Sequence, residues 1–276
     1  MSRYPLSDQH TAATHERCAP ARDAIRLWFI VALVSSWFMA APSVIAAELT
    51  GKEIIKRSDD LLRGDSSYGF YRMTVTTPSW QRTYELTAWV FKREKTFIRI
   101  TAPPKEKGFG TLRLGYNMWN YLPTVERTIK IPPSIMLQPW MGSDFSNDDL
   151  ALESSILNDY EHAILGMQTL DGATAYQIEL TPHPQAPVVW GTLRHWVRAS
   201  DFVPLRHEFF NERGQLVKTL VFSDVRPMGD RTIPTRWTMT SQTKAGHQTV
   251  LELLQVTYNL LIPDTIFSHD HLTNTE

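Results

Sequence analysis

Short segments in which apolar and polar side chains alternate make up most of the chain after residue 68. A period of two is typical of a β-strand that buries one face. Several connections, such as NERGQ, MGDRT and KAGHQ, have the length of hairpin loops. The pattern therefore predicts about eleven strands in one antiparallel sheet that curls toward a barrel, and not parallel βαβ units. The segments are GFYRMTVTTP, RTYELTAWVFK, KTFIRITAP, YNMWNYLP, ERTIKIP, ATAYQIELTP, WGTLRHWVRAS, VPLRHEFFN, QLVKTLVFSDV, IPTRWTMTS and QTVLELLQVTYNL.

Two other stretches depart from this alternation. LTGKEIIKRSDDLLRG, residues 49–64, spaces its apolar side chains for an amphipathic helix, with Thr50 and Glu53 as a capping box and Gly64 as the stop. PPSIMLQPWMGSDFSNDDLALESSILNDYEHAILG, residues 132–166, follows neither period, and it predicts short helices and loops that interrupt the sheet.

An acidic cluster lies inside this second stretch, in PWMGSDFSNDDLA. An EF-hand loop that began at Asp144 would lack both its glycine and its final glutamate. Gly142 allows a turn, and Ser146 can cap a short helix whose first turn holds Asp148 and Asp149. The sequence favours this capping role, with a metal site or a carboxylate-dependent hydrolase as the alternative.

Other catalytic and binding chemistries lack their motifs. The sequence has no GxSxG, GxGxxG or GxxxxGK[ST] stretch, and its histidines show no HxH or HExxH spacing. A net charge of −1 gives no basic surface for nucleic acid. We therefore expect no enzyme, no cofactor, no metal and no nucleic-acid partner. The histidines considered for zinc are His162, His183, His195, His207 and His247.

The N-terminus resembles a secretion signal. Three arginines precede an apolar run at residues 27–47, Pro42 interrupts it, and small residues lead up to Ala47. Cleavage near Ala47 is expected, and the alternative is an uncleaved anchor, because the run is about as long as a membrane span. The one cysteine, Cys18, precedes the run, so the mature chain would have neither disulfides nor a thiol nucleophile. These features predict a periplasmic protein.

Some strands are apolar on both faces. In residues 82–91, Tyr84 and Leu86 share one face, whereas Trp89 and Phe91 lie on the other. Something must then cover each face: helices on one side, and a lipid-like ligand or a partner on the other. The alternative is that helices fill the concave face completely.

The run GFGTLRLGYNMWNYLPTVERTIKIPPSIMLQPWMGSDFSNDDL resembles the signature region of LolA-like outer-membrane lipoprotein-sorting proteins. LLRGDSS, LTAWVF, ITAPPKEKG, YQIELTP and SDVRPMGDRTIPTRW match the same family in order. The resemblance implies a mainly β fold with some α: an incomplete antiparallel barrel with an N-terminal helix and a helical lid over a hydrophobic cavity. The mature chain is longer than the lipoprotein chaperone of this family, which indicates a divergent branch.

From this resemblance we expect residues 1–47 to be a signal peptide and residues 48–276 to be one lipid-binding domain. The implied role is a non-enzymatic carrier or chaperone for a lipid or a lipoprotein acyl moiety. The alternative is an accessory protein that docks an exporter-type membrane transporter. The residues predicted to line the cavity or the lid are Trp89, Phe91, Met118, Trp119, Tyr121, Met136, Trp140, Met141 and Phe145.

Overall fold

The structure is a computed structural model that describes residues 49–150 and 156–274. Its first element is helix α1, Gly51–Arg63. The Thr50 hydroxyl accepts a hydrogen bond from the Glu53 backbone N–H at 3.2 Å, and the Glu53 carboxylate accepts one from the Thr50 N–H at 3.0 Å. This reciprocal pair satisfies two donors that a helix start leaves free. Gly64, at φ +62°, ends the helix. The predicted helix, its cap and its stop are confirmed.

The described residues form one open antiparallel sheet of thirteen strands. Its order from edge to edge is β6-β5-β4-β3-β2-β1-β13-β12-β11-β10-β9-β8-β7. The predicted mainly β, incomplete-barrel fold is confirmed, with two strands more than expected. The bounds are β1 Ser66–Thr76, β2 Gln81–Phe91, β3 Lys95–Ala102, β4 Gly110–Leu114, β5 Asn117–Leu122, β6 Arg127–Ile131, β7 Tyr160–Leu170, β8 Ala173–Pro182, β9 Thr192–Arg198, β10 Pro204–Phe210, β11 Leu216–Met228, β12 Arg231–Ser241 and β13 Gln248–Tyr258.

The two additional strands, β4 and β7, lack alternation for opposite reasons. β4 is buried along four of its five residues, so both of its faces are covered and neither needs to be polar. β7 is an edge strand that is exposed along most of its length, and Ile164, Leu165 and Met167 face solvent there. The prediction that residues 160–166 belong to a helical and loop region was wrong, because one strand pairing with β8 is enough to hold an edge strand.

Short helical turns occupy much of the rest of the predicted lid. We call residues 132–150 the lid segment; it contains 3₁₀ turns at Pro133–Ile135 and Trp140–Gly142, and residues 147–150 are α-helical. The chain after β13 forms a further 3₁₀ turn, Asp264–Phe267, and helix α2, His269–Thr273. A 3₁₀ turn at Pro123–Val125 joins β5 to β6.

The two sheet faces are covered by different parts of the chain. On the inner face, Ile54 and Ile55 of α1 and Trp140 and Phe145 of the lid segment pack among buried strand residues. On the outer face of β2–β5, side chains from residues 262–272 pack over Phe97 and Leu112 and their aromatic neighbours. Arg99 fastens this C-terminal segment by donating to the backbone carbonyls of residues 271, 272 and 274 at 2.7, 3.1 and 3.0 Å. The chain's own C-terminus therefore covers the second apolar face.

The predicted signal peptide, residues 1–47, lies outside the described residues, and its cleavage stays a prediction. Within residues 49–150 and 156–274, no helix combines the length and the apolar character needed to cross a membrane.

Candidate functional site: an apolar cavity beneath the lid segment

A cavity of about 180 Å³ lies between α1, the inner face of the sheet and the lid segment. Its wall is mostly apolar, and it includes Ile55 from α1, Met73 from β1, Ala88 from β2, Phe222 from β11 and Leu150 from the lid segment. Strands on both sides of the sheet centre contribute, because curvature of the open sheet turns their inner faces toward one another.

A tight loop of the lid segment closes one side of this cavity. The Trp140 backbone N–H donates to the Phe145 carbonyl at 2.8 Å, so the chain reverses within six residues. Met141 and Gly142 sit at positive φ, +51° and +73°, where the turn requires a left-handed backbone. The Trp140 indole N–H donates to Thr111 of β4 at 3.0 Å. This anchors the loop to the sheet and directs the Trp140 ring into the wall.

The acidic cluster holds the lid segment in place. The Ser146 hydroxyl accepts from the Asp149 backbone N–H at 3.3 Å, while the Asp149 carboxylate accepts from the Ser146 N–H at 2.6 Å. The predicted capping role of Ser146 is confirmed. Asp149 also forms an ion pair with Lys218 of β11, and both side chains are buried. Asp144 accepts from the Thr249 hydroxyl at 2.8 Å. Two of the three carboxylates are thus bound to the sheet.

Asp148 differs from its neighbours. Its side chain is buried, and its Oδ2 has no hydrogen-bond partner. Desolvation by burial, reinforced by the nearby Asp149 charge, raises the pKa of Asp148 to about 7. The sequence prediction that Asp148 lies in the first helical turn holds, since residues 147–150 are helical. It did not anticipate that the carboxyl would be inside the protein.

Lys218 occupies an aromatic enclosure behind Asp149. Its ammonium lies 4.7 Å from the ring centre of Trp190 and 4.9 Å from that of Phe209. Ring faces attract a cation most strongly when it is desolvated, and an ion pair offsets part of the cost of its burial. Lys218 therefore connects the lid segment to the sheet through a buried charge.

Two histidines form the polar part of the cavity wall. His195 of β9 and His207 of β10 face each other in register, with parallel rings whose centres are 3.4 Å apart. Burial lowers the pKa of His207 to about 3 and that of His195 well below its usual value, so both are neutral imidazoles at neutral pH. His195 Nε2 has no hydrogen-bond partner. Neither ring makes a hydrogen bond to any residue in the described part of the chain.

A charged group from α1 completes the wall. Asp59 accepts from Arg63 Nε at 2.6 Å and also pairs with Arg93, in the β2–β3 turn. Asp59 and Arg63 both line the cavity. Their mutual pairing leaves this part of the wall polar but close to neutral.

The structure brings together only part of the predicted site. Trp140 and Phe145 line the cavity, whereas the other seven residues do not. Trp89, Phe91, Trp119 and Tyr121 pack on the outer face against the C-terminal segment. Met118 of β5 packs with Met136 and Leu150 of the lid segment, and Met141 packs beside Trp140. A ligand-binding role for these residues stays a prediction.

Sequence reasoning missed His195, His207 and Lys218 as site residues. Each occupies an inward position of its strand, among buried residues such as Leu193, Phe209 and Leu220. The signal that could have identified them is a polar residue on the same strand face as buried apolar neighbours. Within residues 49–150 and 156–274, no three His, Cys, Asp or Glu side chains are grouped to hold a metal ion.

An open antiparallel sheet curved around an apolar cavity, with an N-terminal helix and a lid segment, defines a LolA-like protein. A protein-family model described as "Uncharacterized protein" matches residues 92–274, and the chain belongs to that family. The predicted resemblance to LolA-like proteins is confirmed by the solved structure of a LolA superfamily protein. No curated protein matches the chain.

Three of the solved structures cover nearly all of the described chain. A LolA superfamily protein from Nitrosomonas europaea is 26% identical, with a TM-score of 0.70, over 81% of this chain and 100% of its own. A DUF1329 family protein from Desulfovibrio piger is 24% identical, with a TM-score of 0.74, over 80% and 97%. A domain described as an outer membrane lipoprotein-sorting protein, from Vibrio parahaemolyticus, is 21% identical, with a TM-score of 0.70, over 81% and 98%.

Proposed function

We propose that this protein is a non-enzymatic carrier that binds a lipid, or the acyl part of a lipoprotein, in the cavity beneath the lid segment. The cavity itself carries the proposal, because an apolar wall with few polar groups suits an acyl chain. Each Å² of apolar surface removed from water stabilises a complex by about 25 cal/mol. A LolA superfamily protein and a domain described as an outer membrane lipoprotein-sorting protein share this fold.

The size of the cavity limits what it holds in this conformation. At about 180 Å³ it is slightly larger than an engineered apolar cavity of about 150 Å³ that binds benzene. Such a space admits a segment of one acyl chain. A longer chain requires the lid segment to move outward, and Leu150, Trp140 and Phe145 are the lid residues it would displace.

A periplasmic location belongs to the same proposal. It rests on the signal-like run at residues 27–47 and on the lipoprotein-sorting description of a structural relative. A membrane transporter that delivers or receives the lipid is the partner such a carrier would need. A hydrolase is less well supported, because Asp144 and Asp149 are already bound to Thr249 and Lys218.

A substitution that fills the cavity tests the proposal. Ala88 lies in the wall, on the inner face of β2, so Ala88→Phe would place a ring in the empty space without adding charge. We expect the variant to bind diphenylhexatriene, a fluorescent hydrocarbon, at least about tenfold more weakly than the parent, a loss of about 1.4 kcal/mol. Native mass spectrometry would show less co-purifying lipid.

The matched control is Ala163→Phe, the same exchange on the exposed edge strand β7. It should leave diphenylhexatriene binding unchanged. Equal binding by Ala88→Phe and the parent, with both proteins folded by circular dichroism, would place the ligand outside this cavity. Absence of binding and of co-purifying lipid in the parent would remove the carrier proposal.

A further inference from the structure

The charges that line the cavity are already paired with one another or with groups behind the wall. Arg63 and Asp59 form one pair, and Asp149 pairs with Lys218. Arg93 also pairs with Asp59, so each charge of the described lining already has a partner of opposite sign. A ligand that carried its own charge into this space would lose its hydration and, among the described residues of the lining, would find no unpaired charge of opposite sign.

The stacked histidines, unlike these paired charges, offer uncharged hydrogen-bonding groups. A neutral imidazole has one N–H donor and one acceptor nitrogen, so the pair has two of each. Among the described residues, none accepts from or donates to either ring, and His195 Nε2 is a buried atom with no partner. A buried polar atom without a hydrogen bond is unfavourable, so a ligand oxygen placed there would satisfy a group that the protein leaves open.

We propose that the cavity selects lipids whose polar group is an uncharged oxygen function, a hydroxyl or an ester carbonyl, which hydrogen-bonds to His195 and His207. This inference rests on the proposed carrier function and names the ligand class. A hydroxyl can donate to one imidazole and accept from the other, and an ester carbonyl can accept from either. The chain of the ligand would then extend along the apolar wall toward Phe145 and Leu150.

Matched ligands test the selection. Decanol and decanoate share one hydrocarbon chain and differ in the charge of the head, and both can displace diphenylhexatriene from the protein. Decanoate is ionised at about pH 8, where both imidazoles are neutral. We expect decanol to bind at least about tenfold more tightly than decanoate. A monoacylglycerol should behave like decanol.

Variants identify the groups responsible. His207→Phe and His195→Phe keep a flat ring in the wall and remove its nitrogens, and each should weaken decanol binding about fivefold to tenfold without weakening that of diphenylhexatriene. His183→Phe, at an exposed position, is the control and should change neither. Two variants are used so that a folding defect in one does not remove the test.

The outcomes separate the two proposals. If diphenylhexatriene does not bind the parent protein, the carrier function fails and the ligand class fails with it. If the hydrocarbon binds but decanoate binds as tightly as decanol, only the selection for uncharged lipids is overturned. Decanol affinity that survives both histidine substitutions would also overturn it, because the oxygen would then be bound elsewhere.

Discussion

Replacing Asp148 by asparagine should stabilise the protein, and the gain should be larger in alkaline solution than in mild acid. The carboxyl is buried and lacks a partner at Oδ2, and burial raises its pKa from 3.8 to about 7. Folding therefore favours the protonated form. For an acid whose folded pKa is raised, stability falls as pH rises from the unfolded pKa toward and through the folded one. Asparagine resembles the neutral acid in size and removes this dependence.

The magnitude follows from the two pKa values. Each pKa unit corresponds to about 1.36 kcal/mol, so a fully ionised Asp148 would cost about 4 kcal/mol. Between about pH 5 and about pH 8.5 the parent should lose about 2 to 3 kcal/mol through this group. The difference in unfolding free energy between Asp148→Asn and the parent should change by that amount. Other titrating groups cancel in this difference, because both proteins contain them.

Urea denaturation at the two pH values measures this difference. With a slope of about 2 to 3 kcal/mol per M, the difference between the midpoints of the variant and the parent should be about 1 M larger at about pH 8.5 than at about pH 5. Asp149→Asn is the matched control, one residue along the chain. It leaves Lys218 buried without its ion-pair partner and should cost about 3 to 5 kcal/mol at both pH values.

Two results would refute the reasoning. A pH-independent difference between Asp148→Asn and the parent would mean that the carboxyl does not titrate between these pH values. A variant less stable than the parent at about pH 8.5 would mean that the ionised carboxylate makes a favourable interaction inside the protein.

Three further substitutions test the polar groups and the lid segment. Burial lowers the folded pKa of His207 to about 3, so the parent loses stability as pH falls below about 6.5. Between about pH 7 and about pH 5, the free energy of unfolding of His207→Phe, measured by urea titration, should therefore rise by about 2 kcal/mol relative to that of the parent. Lys218→Met should cost about 3 to 5 kcal/mol, and the double variant with Asp149→Leu should recover most of it in a double-mutant cycle. Trp140→Ala should lower the free energy of unfolding by about 3 to 5 kcal/mol, because the ring is buried and bonded to Thr111; a loss below about 1 kcal/mol would mean that the lid segment is not packed against the sheet.

Local sequence signals predicted the elements whose causes are local. The capping box of Thr50 and Glu53 marks the start of α1, and Gly64 marks its end. The helix could therefore be placed from its own sequence. Strands with one buried face were recognised by alternation. β4 and β7 were not recognised, because the burial of β4 and the exposure of β7 are set by neighbouring segments and by position in the sheet.

The candidate site was harder to predict because its surroundings come from distant parts of the chain. Trp89 and Phe91 present an aromatic face, which a ligand or a protein segment could cover equally well. Residues 262–272 cover it, and Arg99 holds them across more than 170 positions of sequence. Nothing in the strand itself distinguishes these two outcomes. Trp140 and Phe145 could be predicted because the resemblance to LolA-like proteins implies a lid over the cavity, and both residues lie in its signature region.

One ion pair connects the acidic cluster of the lid segment to the apolar cavity. Asp149 lines the cavity and caps the helical turn at residues 147–150, and its partner Lys218 enters from the middle of the sheet, 69 residues later. A surface pair of this kind would contribute little, but burial makes its loss costly. The acidic residues therefore hold the lid segment against the sheet. They fix its position, and so they set the size of the cavity that it covers.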